Sequence, residues 1–332
     1  MGASIEVQVV SRTPTRAAPR LGVRRVLLAA PRGYCAGVER AIQCVQEGLE
    51  RWGAPLYVRR QIVHNDHVVS ELERAGAIFV DQVEDVPEGA TIVFSAHGVS
   101  PAVEQAAERR GLTTVDATCP LVTKVHSEVR HYAARGFTVI LIGHAGHDEV
   151  EGTTGVAPDT VALVETVEDA ERIQPSQTER LAFVTQTTLS VDETAEIVRV
   201  LRRRFPNIEA PKKEDICYAT TNRQRAVKAM LSEIDALLVI GSENSSNTHR
   251  LVEVARAGGL PAERINDEGD LDEAWLASVE TLGLTSGASV PERLVERVLA
   301  WLRERADIEL EIRGRLEENV SFNLPPSIRR TR

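Results

Sequence analysis

The chain has 332 residues, 42% hydrophobic and 27% charged, an ordinary globular composition with enough length for one large or several small domains. A net charge of −10 gives no global field for nucleic acid or an anionic membrane surface, so an anionic ligand must be met by local donors. No apolar run approaches the ~20 residues of a membrane span, and no membrane association is expected.

Residues 1–23 include SRTPTRAAPRLGVRR, which lacks the apolar stretch of a secretory signal and reads as a disordered extension. Only four cysteines occur, widely scattered, which points to a reducing, cytoplasmic setting. From residue 24 onward short apolar runs alternate with helical patterns. Strands are expected at 24–30, 55–60, 77–80, 91–98, 114–118, 137–144, 160–165, 180–187, 236–242 and 281–287. Between them lie segments such as AGVERAIQCVQEGLERWG, where Val38, Ile42, Val45 and Leu49 recur at helical spacing. This alternation predicts βαβ units, hence an α/β class with mainly parallel sheets.

A cysteine stands in a turn just before a helical pattern three times, in PRGYCAGVERAIQ, DATCPLVTKVHSEV and EDICYATTNRQRAVKAM. These are Cys35, Cys119 and Cys217. Three diverged copies of one α/β unit would each present one thiol at the C-terminal edge of a sheet, where helix N-termini favour a thiolate. The expected lobes are 24–118, 119–216 and 217–305, followed by a tail, 306–332, packing on them. A lone cysteine is more often packed than functional, but a shared context shifts that balance. Thiolates bind zinc, Cu(I) or iron–sulfur clusters, and without a CxxC pair both a Cys₃His zinc site and a cluster with one open iron remain. Cys44, flanked by Ile42 and Val45, is expected to be helix packing.

Histidines also follow strand-like runs: His64 in QIVHNDHVV, His97 in SAHGVS, and His144 and His147 in GHAGHDEVEG. Together they favour a polar cavity, whereas His126 reads as packing and His131 as solvated. Glu149 could donate a proton if it turns inward, while Asp148 and Glu151 are expected in solvent. The densest donor cluster is GSENSSNTHR, with Ser242, Asn244, Ser245, Ser246, Asn247 and Thr248 before a helix starting near Arg250. That exceeds what one helix cap needs and suggests an anion site for phosphate, with TSGAS (Thr285 to Ser289) as a smaller version. No GxxxxGK[ST] motif is present, so this is not a P-loop. The rival reading is a non-redox zinc protein in which Cys35, Cys119, Cys217 and a histidine form a closed structural site, and a metal-free phosphate-binding module is a third.

In this order PRGYCAGVERAI, YVRRQIVHN, FSAHGVS, DATCPLVTKVH, LIGHAGHDEVEGT, TQTTLS, DICYATTNRQ, GSENSSN and SGAS resemble one family, the 4-hydroxy-3-methylbut-2-enyl diphosphate reductases. The resemblance runs from about Val26 to near Asn323. It implies three α/β lobes around a central [4Fe-4S] cluster, which can be recovered as [3Fe-4S], held by Cys35, Cys119 and Cys217. It implies substrate binding by His64, His97, His147, Thr187, Ser245, Ser246, Asn247 and Ser289. Glu149 would be the proton donor, with Thr187 and His147 beside it in the catalytic group. The implied reaction is reductive removal of the substrate's allylic hydroxyl to give isopentenyl and dimethylallyl diphosphates, the last step of the non-mevalonate pathway. Electrons would come from ferredoxin or flavodoxin.

Overall fold

The structure is a computed structural model describing residues 21–315 and 318–329, so residues 1–20 of the extension expected over 1–23 lie outside the described residues. In chain order the first elements are β1 (Arg25–Ala30), α1 (Ala36–Trp52), β2 (Leu56–Arg59), α2 (Asp66–Arg74), β3 (Ala77–Val80), β4 (Thr91–Phe94), α3 (Pro101–Arg109) and β5 (Thr113–Asp116). Next come α4 (Pro120–Ala134), β6 (Thr138–Ile142), α5 (Asp148–Thr154), β7 (Val161–Val164), α6 (Val167–Arg172), β8 (Leu181–Thr185) and α7 (Val191–Arg204). The last are α8 (Tyr218–Met230), β9 (Ala236–Ile240), α9 (Ser246–Ala257), β10 (Ala262–Ile265), α10 (Glu273–Leu276), β11 (Thr281–Ser286), α11 (Glu292–Arg305) and β12 (Glu309–Gly314).

Two compact units result. Among the described residues, the first takes in those up to Cys35 together with Tyr218–Asn319. Its one sheet has the order β10-β9-β11-β1-β12, with every named pairing parallel. Strand β1 is apolar and buried from Val26 to Ala30 because helices cover both of its faces. Val26 and Leu28 pack with Leu294, Val298 and Leu302 of α11, while Leu27 and Ala29 pack with Val227 and Met230 of α8 and Leu251 of α9. The second unit, Ala36–Cys217 with the described residues from Val320 on, holds two more parallel sheets, β3-β2-β4-β5 and β7-β6-β8. Ile140 and Ile142 of β6 face Ile197 and Leu201 of α7, and Val139 and Leu141 face Val125 and Val129 of α4.

One pattern recurs in all three sheets. A central strand (β2, β6 or β9) leads through a helix to the strand on its outer side. The chain then returns to the opposite flank as β4, β8 or β11. Each sheet therefore has a topological switch point, β2/β4, β6/β8 or β9/β11, the crevice where open α/β sheets bind ligands. The strand segment before each cysteine lies next outward. It is β5 before Cys119, β1 before Cys35 and, before Cys217, the parallel bridge of Glu209 to Ala182.

These pairings revise the lobe boundaries read from sequence. Strand β1 pairs with β11 and β12, so the chain's beginning completes the sheet of its last α/β segment and does not join β2–β5. The tail at 306–332 is in part strand β12, paired along β1. Leu21 and Val23, assigned to the extension, are buried in the first unit's core. Strands β10 (AERI) and β12 (ELEIRG) were missed because charged residues interrupt their apolar pattern. Beyond Val320, Ile328 is buried, and the Ser327 carbonyl accepts from Arg51 of α1.

Candidate active site

The switch points carry the polar loops. In the second unit His64 and the helix-capping Asn65 follow β2, and the Asn65 side chain accepts from the Val68 N–H at 3.1 Å. His97 follows β4, and His147 caps α5 after β6. The three imidazoles meet: His64 stacks on His97 with centroids 3.9 Å apart, and His147 lies edge-on to both, at 5.3 and 5.8 Å. Burial lowers the pKa of each, His97 well below the ordinary histidine value and His147 to about 4. Near neutral pH they are uncharged rings. The Nδ1 of His147 accepts the Glu149 N–H at 3.1 Å, which leaves its proton on Nε2.

Glu149, in the first turn of α5, is turned inward and buried. Both carboxyl oxygens are held by one residue: Oε1 accepts the Thr187 N–H at 2.7 Å and Oε2 accepts the Thr187 hydroxyl at 2.9 Å. Burial pushes its pKa up to about 7, although the Thr187 hydrogen bonds pull it down. A carboxyl poised there can give or take a proton at neutral pH.

Asp148 is not solvated as expected. Its carboxylate pairs with Arg60 and lies 3.7 Å from His97 Nδ1, while Glu151 remains half-exposed with Arg60 at 2.6 Å. His64, His97 and Asp148 are close enough to share a metal ion, but the Arg60 guanidinium already neutralises that carboxylate. His144 lies on the same loop, its N–H donating to Gln186 Oε1 at 3.0 Å. His126 is buried packing, and His131 is exposed on α4. Arg60 and Gln186 were missed because a surface-type residue in a loop carries no periodic signal.

In the first unit the donor-rich loop after β9 caps α9. Ser245 Oγ accepts from the Thr248 hydroxyl at 2.9 Å, and Ser246 opens the helix. Asn247 is turned to structure: its amide donates to Thr220 Oγ1 at 3.2 Å and accepts the Ala288 N–H at 3.0 Å. Ser289 is buried in the loop after β11. Close approach fixes these loops, since a Cβ on Gly287 would lie 2.3 Å from Thr248 Oγ1. The hydroxyls of Thr285 and Ser286 are buried without a hydrogen-bond partner, so a ligand here would meet unsatisfied donors.

The three cysteines repeat one local design. Each is partly exposed and immediately precedes a helix, α1, α4 or α8. Each backbone N–H donates to a strand-end loop: Cys35 to Ala288 O (3.2 Å), Cys119 to Ala96 O (2.9 Å) and Cys217 to Thr187 O (3.0 Å). Those acceptors all sit two residues past the last residue of β11, β4 or β8. Partly exposed thiols at helix N-termini suit a soft metal centre. Cys44 contrasts with them: it is fully buried in α1, and burial pushes its thiol up to about 11.

The family model described as LytB protein matches residues 26–303. A 4-hydroxy-3-methylbut-2-enyl diphosphate reductase of Acidothermus cellulolyticus is 56% identical over 94% of this chain and 92% of its own length. The reductase of the same name from Mycolicibacterium paratuberculosis is 53% identical over 100% and 97%. Among solved structures, the E-1-hydroxy-2-methyl-but-2-enyl-4-diphosphate reductase of Plasmodium falciparum superposes with a TM-score of 0.88 at 40% identity, covering 92% of this chain and 97% of that one. A family match over residues 26–303, with relatives more than half identical along nearly the whole chain, places the protein in the LytB family of 4-hydroxy-3-methylbut-2-enyl diphosphate reductases.

Proposed function

We propose that the chain is a cytoplasmic iron–sulfur reductase. It converts (E)-4-hydroxy-3-methylbut-2-enyl diphosphate, with two electrons and two protons, to water and isopentenyl or dimethylallyl diphosphate. Cys35, Cys119 and Cys217 are the ligands of a [4Fe-4S] cluster that can be recovered as [3Fe-4S]. When bound, the cluster supplies the electrons singly, from ferredoxin or flavodoxin, and a Lewis-acidic iron for the substrate hydroxyl. Reduction needs no nucleic acid or membrane partner.

The protein's own groups supply the rest. Glu149, protonated up to about pH 7, delivers the proton that turns the departing hydroxyl into water. Thr187 orients that carboxyl through both of its donors and is placed to hand the proton on through its hydroxyl. His147, with its proton on Nε2, donates to the substrate. Ser245, Ser246, Asn247 and Ser289 bind the diphosphate as neutral donors, and His64 and His97, neutral in the free chain, join them and gain a proton on binding, so that local donors and not bulk charge hold the anion on an acidic chain. The observation that carries this reading is Thr187. It holds the buried carboxyl by its N–H and hydroxyl, and its carbonyl accepts the N–H of Cys217, so proton donor and metal ligand share one residue.

Diphosphate binding therefore takes up protons. The free imidazoles are neutral because burial lowers their pKa, and a bound polyanion raises it again. Near pH 6, calorimetry of substrate binding in buffers of differing ionisation enthalpy should give a net uptake of about one proton per site. Net uptake of zero, or release, would contradict the role given to His64, His97 and His147.

A further inference from the structure

We propose that Arg40, Lys124 and Arg223 form a cyclic set of clamps, in which the helix following each cysteine holds the turn preceding the next. The inference rests on reading Cys35, Cys119 and Cys217 as cluster ligands and assigns roles to three residues outside that ligand set.

Arg40 lies in α1, five residues after Cys35. Its guanidinium donates to Thr118 O at 2.9 Å and Asp116 O at 3.3 Å, the carbonyls leading into Cys119. Lys124 lies in α4, five residues after Cys119. Its ammonium donates to Lys213 O (2.6 Å), Glu214 O (3.2 Å) and the Asp215 carboxylate (2.7 Å), leading into Cys217. Arg223 lies in α8, six residues after Cys217. It donates to Gly33 O at 2.7 Å and Tyr34 O at 3.3 Å, leading into Cys35. The assignments close a cycle along the chain.

The physical need is plainest at Thr118 O and Gly33 O, whose hydrogen bonds are buried; Lys213 and Glu214 are exposed, and there the buried Asp215 carboxylate is the main anchor for Lys124. A turn that leaves a strand to place a thiol has carbonyls with no ladder partner, and a buried carbonyl left unpaired is costly. A charged donor is the strongest available partner and can span two carbonyls at once. Each cation is itself anchored. Arg223 is fully buried against Glu318, at 3.1 Å. Lys124 pairs with Asp215, whose second oxygen accepts the Thr185 N–H at 2.9 Å. Arg40 Nε donates to Asn323 O at 2.9 Å. With the cysteine N–H tied to a strand-end loop on its other side, each turn is held from two directions. Ligands held so are preorganised, and loss of one clamp loosens one thiolate. Gly33, at φ +67° with Val290 O 3.1 Å from where a Cβ would sit, lets one of these turns pass close to its neighbours.

Amide hydrogen exchange on the full chain, in cluster-loaded and chelator-stripped forms, tests the assignment. Arg40→Met should speed exchange at least about tenfold in the turn entering Cys119, and Lys124→Met should do so in the turn entering Cys217. The turns not assigned to each variant should stay within about threefold of the parent, and Lys124→Arg should restore protection. In the loaded protein the same Met variants should lose iron to a chelator at least about fivefold faster. Arg223→Met should act on the turn entering Cys35; because Arg223 is fully buried, the decision rests on the other two variants. Unchanged exchange at the assigned turns, or equal acceleration at all three turns in each variant, would overturn the clamps. A parent chain without iron or sulfide would instead sink the cluster reading, and the exchange pattern of the stripped chain would still decide the clamps.

Discussion

Glu149→Gln is expected to lower turnover by about 10²- to 10⁴-fold while leaving iron content and substrate affinity close to the parent's. Glutamine keeps the shape of the side chain and can still accept the Thr187 N–H, but it has no proton to give. The pH dependence has a definite sign. Burial raises the Glu149 pKa to about 7, so the acid form is the native one below that and is lost as pH rises through it. Turnover should fall on the alkaline side of about pH 7, and the residual activity of Glu149→Gln should lack that limb. Stability follows the same linkage. A raised carboxyl pKa makes the fold lose stability as pH climbs from the ordinary 4.5 towards 7, a slope the glutamine variant should be missing. Normal turnover in Glu149→Gln, measured under anaerobic conditions with a chemical reductant, would remove the proton role.

Cys217→Ser should abolish both cluster and turnover, with loss of activity beyond about 10³-fold. A serine hydroxyl is a poor soft-metal ligand, and two thiolates are too few to hold the cluster. The same change at Cys35 or Cys119 should act alike, because the three share their helix-start position and their tie to a strand-end loop. Cys44→Ala is the control. Its thiol is buried and held protonated by that burial, so removing it should cost stability through a small cavity and leave iron content whole. Loss of iron in Cys44→Ala, or retention of iron and activity in Cys217→Ser, would reverse the assignment.

Much of this was legible in the sequence, for physical reasons that differ by residue. Strands buried on both faces read as unbroken apolar runs, so β1, β6 and β9 were clear. The three cysteines stood out by shared context. Polar strand endings marked the loops, and the structure places them at switch points. Sheet membership was not legible: β1 closes the sheet of β9–β11, a pairing across more than half of the chain that no local pattern encodes. Strand β12 was hidden by its alternating charges, Glu309, Glu311 and Arg313, of which Glu311 pairs with Arg25 and Arg313 with Glu233. Asp148 looked like a solvated loop acid because its partner Arg60 lies 88 residues away. Arg40, Lys124 and Arg223 looked like solvated helix charges, and only their backbone acceptors reveal what they hold.

The central claim, an iron–sulfur reductase of an allylic diphosphate, is tested most directly by one anaerobic preparation. Iron, sulfide and zinc are quantified, Mössbauer spectra recorded, and (E)-4-hydroxy-3-methylbut-2-enyl diphosphate supplied with a one-electron reductant. The account predicts brown protein with up to about four irons and four sulfides per chain, and conversion to isopentenyl and dimethylallyl diphosphates. Colourless protein carrying one zinc per chain, with the diphosphate bound but returned unchanged, would contradict it.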